Sequence, residues 1–257
     1  MVFGEQAVFG VRVVRSVPRA IGRYRGEVLR LIGWISVGRA AFAVAGVTAC
    51  GSAVLVLLTG TDAGQHGYAP LRGFSPSAFT ALLAAYLNTR ELAPLAAGIA
   101  LSLTAGSAFT AQLGAARASG EVDAIEAMGV PPLPYLVTTR VLAGIAAALP
   151  LYAAGLLASY VAARAAAVGY LGQAGGDYDH YLRLFLPPRD VLFSLVKVLV
   201  FSVIVVLTHC YHGFHARGDA GTAVARAVRA SFVGIAVAGF FLSLAFWGAG
   251  TTIRIAG

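Results

Sequence analysis

LAPLAAGIALSLTAGSAFTAQLGAA, from Leu92 to Ala116, contains no aspartate, glutamate, lysine or arginine. A helix rises about 1.5 Å per residue, so a hydrocarbon core of about 30 Å needs roughly 20 residues, and this stretch is long enough to cross it. Three more charge-free runs of at least 22 residues flank it, at 40–61, 141–163 and 230–253. A fifth run, 191–208, is interrupted only by Lys197, whose flexible stem we expect to reach towards an interface. The sequence therefore predicts an all-α membrane protein with five transmembrane helices.

The composition supports the same class of protein. Of the 257 residues, 58% are hydrophobic and 12% are charged, whereas a typical soluble domain has about 25% charged residues. The net charge of +8 does not indicate nucleic-acid binding, because the arginines are spread over the connections between spans. Cys50 and Cys210 fall within or at the end of predicted spans, so neither a disulfide framework nor a CxxC metal site is expected.

The distribution of arginine predicts the topology. Cytoplasmic connections are enriched in Arg and Lys, which places the N-terminus in the cytoplasm and, after five spans, the C-terminus outside. The regions assigned to the cytoplasm contain Arg12, Arg15, Arg19, Arg23, Arg25, Arg30 and Arg39, then Arg117 and Arg140, then Arg217, Arg226 and Arg229. The opposite connections contain Arg72, Arg164, Arg183, Arg189 and Arg254.

Residues 1–33 are predicted to be an interfacial amphipathic region, and residues 34–257 the transmembrane domain. A helix is expected from Ser16 to Gly33, with Ser16 as its N-cap and Pro18 in its first turn. Helical spacing divides its side chains into an apolar face of Val17, Ile21, Tyr24, Val28 and Leu31 and an opposite face of Arg19, Arg23 and Arg30. This pattern is typical of a helix lying in the membrane surface, although a solvated basic leader would share it.

The chain lacks the common catalytic motifs. Its single lysine, Lys197, lies in SLVKVLV, so no GxxxxGK[ST] phosphate loop exists, and GxSxG and HExxH are also missing. We therefore expect a non-catalytic subunit without a cofactor of its own. Any energised work would draw on ATP bound by a partner.

Three sets of residues within or beside the spans carry specific expectations. Arg90, Glu91 and Pro94 in TRELAP predict a polar lining or hinge of a substrate cavity, or else a self-neutralising pair at an interface. Small residues recur every four positions as a packing seam: Gly98, Ser102, Gly106, Thr110 and Gly114. The histidines His209, His212 and His215 are expected to lie at an interface, the alternative being a metal site.

GEVDAIEAMGVPP, from Gly120 to Pro132, predicts a short amphipathic helix within residues 117–130. Val122, Ile125 and Met128 follow helical spacing, whereas three acids lie towards the other side: Glu121, Asp123 and Glu126. The topology places this helix in the cytoplasm, between the second and third spans. It is interpreted as a docking element for a basic groove on a partner, the alternative being a solvated loop helix.

The segment from Arg90 to Arg140 resembles the MlaE/YrbE permeases of ABC transporters that move lipids together with MCE-domain proteins. The matching positions are Arg90, Glu91, Leu92 and Pro94, then Gln112, Leu113, Gly114 and Arg117, then Glu121, Val122, Asp123, Ala124, Ile125, Glu126, Met128 and Gly129. YDHYLRLFLPPRD and AVRASF are most similar to the B-type YrbE subunit of actinobacterial Mce systems. Two positions depart from the family pattern: Gly120 replaces a usual acid, and Thr104 replaces a frequent arginine.

The resemblance implies one half of a permease dimer, paired with an A-type YrbE paralogue in the plasma (inner) membrane. It also implies a cytoplasmic ABC ATPase dimer that binds ATP and Mg²⁺, MCE-domain proteins outside, and a lipid substrate that is imported. The residues expected to couple to the ATPase are Arg117, Glu121, Asp123, Ile125, Glu126, Met128 and Gly129. The other functions considered are an intramembrane metal-dependent lipid-modifying enzyme and a non-transporting membrane scaffold.

Overall fold

The computed structural model describes residues 2–37, 39–66, 75–216 and 219–248. Within these ranges the chain is helical and no residue belongs to a β-strand. Five segments of the described chain are long and apolar enough to cross a membrane. The predicted all-α membrane protein with five spans is therefore confirmed, while the side on which the N-terminus lies stays a prediction.

The spans overlap the predicted charge-free runs, but each begins before its run: the second begins 16 residues before Leu92 and the fifth 10 residues before Ala230. The five spans are Arg25–Thr59, Pro76–Ala118, Leu133–Tyr170, Pro188–Phe214 and Ala220–Trp247. Some arginines used to predict the topology, Arg72, Arg217 and Arg254, lie outside the described residues, as does the side chain of Arg39.

The spans are built from shorter segments, labelled α for α-helices and π for helices with backbone bonds from i to i+5. In chain order they are α1 (Val2–Arg23), α2 (Arg25–Val37), α3 (Arg39–His66), α4 (Pro76–Leu83), π1 (Ala84–Leu92), α5 (Ala93–Leu101), π2 (Ser102–Gly106), α6 (Ser107–Ala118), α7 (Glu121–Ala127), π3 (Leu133–Thr138), α8 (Thr139–Arg164), π4 (Ala165–Tyr170), α9 (Gly175–Phe185), α10 (Pro188–Phe214) and α11 (Ala220–Trp247).

The predicted start of the N-terminal helix at Ser16 is wrong. The helix α1 begins at Val2, so Ser16 and Pro18 lie inside it, and Ser16 Oγ donates to the Val13 carbonyl at 2.7 Å instead of capping. The same hydroxyl lies 2.5 Å from Thr138 Oγ1 and so connects α1 to π3. The buried face of α1 recurs every three or four residues: Phe9, Val13, Ser16 and Ala20.

The predicted helix from Ser16 to Gly33 is in fact divided between two helices. α1 ends at Arg23 and α2 begins at Arg25, so the proposed apolar face is not continuous. Ile21 on that face is exposed, whereas Leu31 is buried in the bundle. The placement of this region in the membrane surface stays a prediction.

The third span contacts the first, second and fourth spans, since α8 packs against α2, α3, α5 and α10. Close approach to the first span depends on Gly155, because a Cβ there would lie 2.7 Å from Val44 Cγ1. Beside it, Thr48 Oγ1 donates to the Gly155 carbonyl at 2.9 Å and Ser52 Oγ donates to the Ser159 carbonyl at 2.8 Å. Small residues and hydroxyl hydrogen bonds therefore join these two spans.

α9 connects the third and fourth spans and packs against α4. Tyr178 of α9 is fully buried, and Arg164 Nε and Nη2 donate to the two carboxylate oxygens of Asp179 at 2.8 and 3.0 Å. These hydrogen bonds lower the pKa of Asp179 below its ordinary value of 3.8. α9 is thus tied to the end of the third span by one buried ring and one ion pair.

Candidate functional site

Two glycines delimit the acidic helix α7. Gly120 directly precedes it with φ +74°, and Gly129 follows it with φ +76°. A side chain with a Cβ in this left-handed region costs about 1–2 kcal/mol, which favours glycine at both ends. Glycine at position 120, which the resemblance presents as a missing acid, therefore suits the turn between α6 and α7.

α7 presents an apolar face to the bundle and an acidic face outwards. Val122 and Ile125 are buried against the hydrophobic core. Met128 was predicted on the same face, but it is 71% exposed, because the helix ends before it. The exposed acids of the helix are Glu121, Asp123 and Glu126. The outer surface of α7 thus combines three carboxylates with one large apolar side chain.

One ion pair braces α7 against the second span. Arg117 Nη1 of α6 lies 3.2 Å from Asp123 Oδ1, with both side chains largely exposed, so the pair contributes at most about 1 kcal/mol. Within the described part of the chain, Glu121 and Glu126 have no ion-pair partner. Two of the three carboxylates are therefore free for an external cation.

A second group of charges lies in the half of the second span that is farther from α7. Arg90 Nη2 and Nε donate to Asp190 Oδ2 at 2.7 and 3.0 Å, and Trp247 Nε1 donates to the other oxygen of Asp190 at 2.9 Å. The Arg90 guanidinium also lies 3.9 Å from the centroid of the Tyr86 ring. The alternative in which Arg90 and Glu91 neutralise each other is therefore wrong.

Glu91 pairs instead with Lys197 of the fourth span. Lys197 Nζ lies 2.7 Å from Glu91 Oε2 and donates to Ser243 Oγ at 2.7 Å and to the Arg90 carbonyl at 3.0 Å. Pro94 has no N–H to donate to that carbonyl four residues earlier, so the ammonium group supplies a donor there. The predicted reach of Lys197 towards an interface is wrong, because its side chain is 0% exposed and satisfied within the bundle.

These contacts form a charge network, defined here as Arg90, Glu91, Asp190, Lys197, Ser243 and Trp247. It joins the second, fourth and fifth spans through side chains that are mostly removed from water. Ion pairs of this kind hold a fixed geometry, because separating either partner would leave an unpaired charge. The network can therefore fix the relative positions of three spans.

The small-residue ridge of the second span faces the fourth and fifth spans. A Cβ on Gly106 would lie 2.7 Å from the His209 ring, so only glycine lets the ring fit there. Ser102 Oγ lies 2.9 Å from His209 Nε2 and Thr110 Oγ1 lies 2.8 Å from Nδ1, while Ser102 also reaches Ser231 Oγ at 2.8 Å. At the two ends of the ridge, Gly98 meets Phe201 and Ile235, and Gly114 meets Ala216 and Ala220.

A family model described as Permease MlaE matches residues 37–245, which is most of the chain. The chain belongs to the MlaE permease family. With five apolar spans, this MlaE-family chain is a multi-pass membrane protein.

Curated relatives of this MlaE-family chain come from a plant and from bacteria. TRIGALACTOSYLDIACYLGLYCEROL 1, chloroplastic, of Arabidopsis thaliana is 32% identical over 65% of this chain and 49% of its own length. A probable ABC transporter permease protein of Synechocystis is 33% identical over 64% of both chains. The intermembrane phospholipid transport system permease protein MlaE of Haemophilus influenzae is 26% identical over 77% of this chain and 79% of its own. The chain thus spans about half of the Arabidopsis protein and slightly less than two thirds of the Synechocystis one.

The three histidines of this MlaE-family chain do not converge. His209 is enclosed by Ser102 and Thr110, whereas His215 Nδ1 lies 3.0 Å from the Tyr211 carbonyl at the end of α10. No group of three His, Cys, Asp or Glu side chains in the described part of the chain could hold a metal ion.

Three members of the charge network were not predicted. Asp190 follows two prolines at the start of the fourth span, and an acid at a membrane boundary is itself a signal of function. Trp247 ends the fifth span, a position where interfacial tryptophan is common. Ser243 carries no comparable signal, because serines occur throughout apolar spans.

Proposed function

We propose that this chain forms one half of the transmembrane lipid pathway of an MCE-type ABC transporter and couples it to a cytoplasmic ATPase. The observation that carries the proposal is α7, a helix whose buried face is anchored in the bundle and whose outer face offers unpaired carboxylates and Met128. An anchored helix of this kind suits a partner with a basic groove. A lipid substrate is supported by the name of the Haemophilus relative, a permease of an intermembrane phospholipid transport system.

The position of α7 supports its role in coupling. It follows α6 of the second span after two residues and precedes π3 of the third span. Its apolar side chains Val122 and Ile125 belong to the same core as both spans. A force applied to α7 by closure of the ATPase subunits would therefore be delivered to the second and third spans together.

In the proposed assembly the other half of the permease is an A-type YrbE paralogue. ATP and Mg²⁺ bind to the ATPase dimer, since this chain has no phosphate-loop lysine. MCE-domain proteins continue the lipid path outside the plasma (inner) membrane, and the transport direction is import. These partners and the direction rest on the family resemblance.

We assign Arg90, Glu91 and Pro94 to a hinge of the lipid pathway. Both charges are held by partners on other spans, so Arg90 is not free to meet an anionic headgroup in this conformation. Pro94 is the second residue after π1 and frees the carbonyl that Lys197 binds. A change of the angle at Pro94 would therefore require the charge network to rearrange.

The coupling role is tested by reversing the charges of α7. The variant Glu121→Lys/Asp123→Lys/Glu126→Lys should insert and fold normally, because all three side chains are exposed, but it should no longer co-purify with the ATPase. A matched pair of single reversals, Glu126→Lys and Asp177→Lys, compares an exposed acid of α7 with an exposed acid of α9. Only the former should weaken co-purification. If the triple variant retains the ATPase and transports lipid normally, α7 is not the coupling element.

A further inference from the structure

A cavity of about 1100 Å³ lies between α10 and α11, beside the first turns of α1. Its volume is slightly above the usual range of small-molecule sites, about 300–1,000 Å³. None of the residues that line it belongs to α7 or to the charge network. The lining residues used here are Ile204, His215, Arg226, Arg229, Val233 and Val237.

The cavity has a cationic end and an apolar end. Arg226 and Arg229 lie on the first turns of α11, and Val233 and Val237 follow on the same helix. Arg226 and Val237 are 11 positions apart, which corresponds to about 16 Å of helix, close to half of a hydrocarbon core of about 30 Å. The cavity therefore has the length and polarity of a single membrane leaflet.

The residues of the fourth span agree with this order of a cationic end and an apolar end. α10 and α11 are antiparallel neighbours, and a Cβ on Gly234 would lie 2.7 Å from Ile204 Cγ2. Ile204 thus lies near the apolar end of the cavity. His215, at the end of α10, lies near the arginines, at the same end of the bundle as α7, since Gly114 of α6 meets Ala220 of α11.

The cationic end is not neutralised within the described part of the chain. Arg226 Nε and Arg229 Nε donate only to backbone carbonyls of their own helix, those of Thr222 and Ala225, at 3.3 and 3.2 Å. Neither guanidinium forms an ion pair with a described carboxylate. The acid on α1, Glu5, accepts from Tyr211 Oη at 2.9 Å and lines a smaller, neighbouring cavity that shares Tyr211 and His215 with this one.

We propose that this groove binds an acyl lipid with an anionic headgroup, taken from the leaflet on the side of α7. The headgroup phosphate would meet Arg226 and Arg229, and an acyl chain would lie along Val233, Val237 and Ile204. Arginines at a membrane surface attract acidic lipids, and each contributes to the affinity. The site goes beyond the proposed transport role, because it needs neither the ATPase nor a second permease.

A lipid satisfies this groove better than an apolar helix of a partner would. An apolar helix would cover Val233 and Val237 but would leave the two guanidinium groups without a counter-charge. A lipid with a phosphate supplies acceptors for the planar guanidinium donors and a flexible chain for the apolar end. Charge complementarity therefore favours the lipid.

The test uses the full chain, purified in mild detergent and titrated with phosphatidylglycerol or phosphatidylcholine, with bound lipid counted by native mass spectrometry. Phosphatidylglycerol should bind more tightly than phosphatidylcholine. The variant Arg226→Gln/Arg229→Gln should bind phosphatidylglycerol on the order of 30-fold more weakly, as expected for the loss of two surface cations.

Two variants separate a specific site from general attraction. Arg23→Gln/Arg25→Gln removes two exposed arginines at the boundary between α1 and α2, where Tyr24 packs against Tyr135 of π3, and should change the affinity less than twofold. Arg226→Lys/Arg229→Lys keeps both charges and should retain most of the binding, which also shows that loss in the Gln variant is not misfolding. Val237→Trp fills the apolar end of the cavity. It should weaken the binding of phosphatidylglycerol although both arginines remain.

Three outcomes would overturn the proposal. The first is equal affinity of the Arg226→Gln/Arg229→Gln variant and the unaltered chain. The second is displacement of the lipid by millimolar inorganic phosphate, which would identify a simple anion site without an acyl requirement. The third is a disulfide between the variant Val237→Cys, made in a Cys50→Ser background, and a second protein in membranes. That result would show that the groove is a contact between proteins.

Discussion

The charge network and α7 both contain carboxylates, but those of the network are paired with cations and most of those of α7 are not. In the network, Glu91 and Asp190 each meet a cation from another span at 2.7 Å. On α7, two of the three acids are exposed and have no ion-pair partner in the described chain. The charges of the network are paired inside the chain, whereas two of the acids of α7 are left for other molecules.

The reason is the cost of desolvation. An unpaired charge removed from water is expensive, so a buried carboxylate persists only with a cation and further hydrogen bonds. An exposed carboxylate keeps its water until a partner displaces it, and it can therefore be used for reversible association. The charge network therefore holds the spans in place, whereas α7 is suited to contact with another molecule.

The largest effect should follow from removing one partner of the buried network. Lys197→Ala leaves Glu91 without its cation and Arg90 without a donor to its carbonyl, so the free energy of unfolding should fall by about 3–5 kcal/mol. The midpoint of thermal or denaturant unfolding in detergent measures this loss.

A double variant distinguishes pairing from packing. Glu91→Leu/Lys197→Met replaces both charges by apolar side chains and should be more stable than Lys197→Ala alone. As a control, Arg183→Ala removes a cation from the outer helix α9 and should shift the midpoint little. Equal destabilisation by Arg183→Ala and Lys197→Ala would contradict the distinction drawn between the two regions.

An intermediate effect is expected at the start of α7. Gly120→Glu introduces the acid usual in the family pattern, but it also places a Cβ at φ +74°, which costs about 1–2 kcal/mol. We expect faster proteolysis between α6 and α7 and weaker co-purification with the ATPase. Gly176→Glu is the matched control, because its Cβ would meet open space at an ordinary φ. If Gly120→Glu binds the ATPase more tightly, the added carboxylate contributes more to binding than the backbone strain costs.

The smallest effect concerns Asp179, an exposed acid that nevertheless has a partner. Its pKa is lowered by Arg164, so the pair stabilises α9 above pH 3.8 and this contribution is lost as the pH falls through the lower folded pKa. The loss should remain below about 1 kcal/mol. The protection factors of α9 amides, which compare each exchange rate with the intrinsic rate at the same pH, should therefore fall at acidic pH, and Asp179→Asn should abolish that decrease. An unchanged pH profile in Asp179→Asn would assign the effect to another group.

The spans could be predicted because length and the absence of charge suffice to define them. The partners of Arg90 and Glu91 could not, since these adjacent residues turn to different sides of a π-helical segment and meet residues about 100 positions away. The prediction for Lys197 was wrong for the same reason. In sequence it resembles an interfacial lysine, but its partner Glu91 lies 106 positions away in the chain.

α7 was the most predictable part of the candidate site, because a short amphipathic helix is encoded by neighbouring residues. Its C-terminal end could also be predicted, because Gly129, Pro131 and Pro132 are residues that end a helix. The left-handed φ at Gly120 could not, since it is a property of the connection from the second span. Ser16 failed as a predicted cap for a related reason. A serine looks the same before a helix and inside one, and here its hydroxyl serves a tertiary contact with Thr138.

The second span contains two π-helical segments, π1 and π2, on either side of α5. A π turn holds an extra residue compared with an α turn, so its conversion to α-helix would rotate the helix beyond it by about 100° and move it by about 1.5 Å. Arg90 and Glu91 of the charge network belong to π1 itself, and π2 lies between them and α7. A push at one end could be converted into a screw motion at the other without breaking the continuous helix that crosses the membrane.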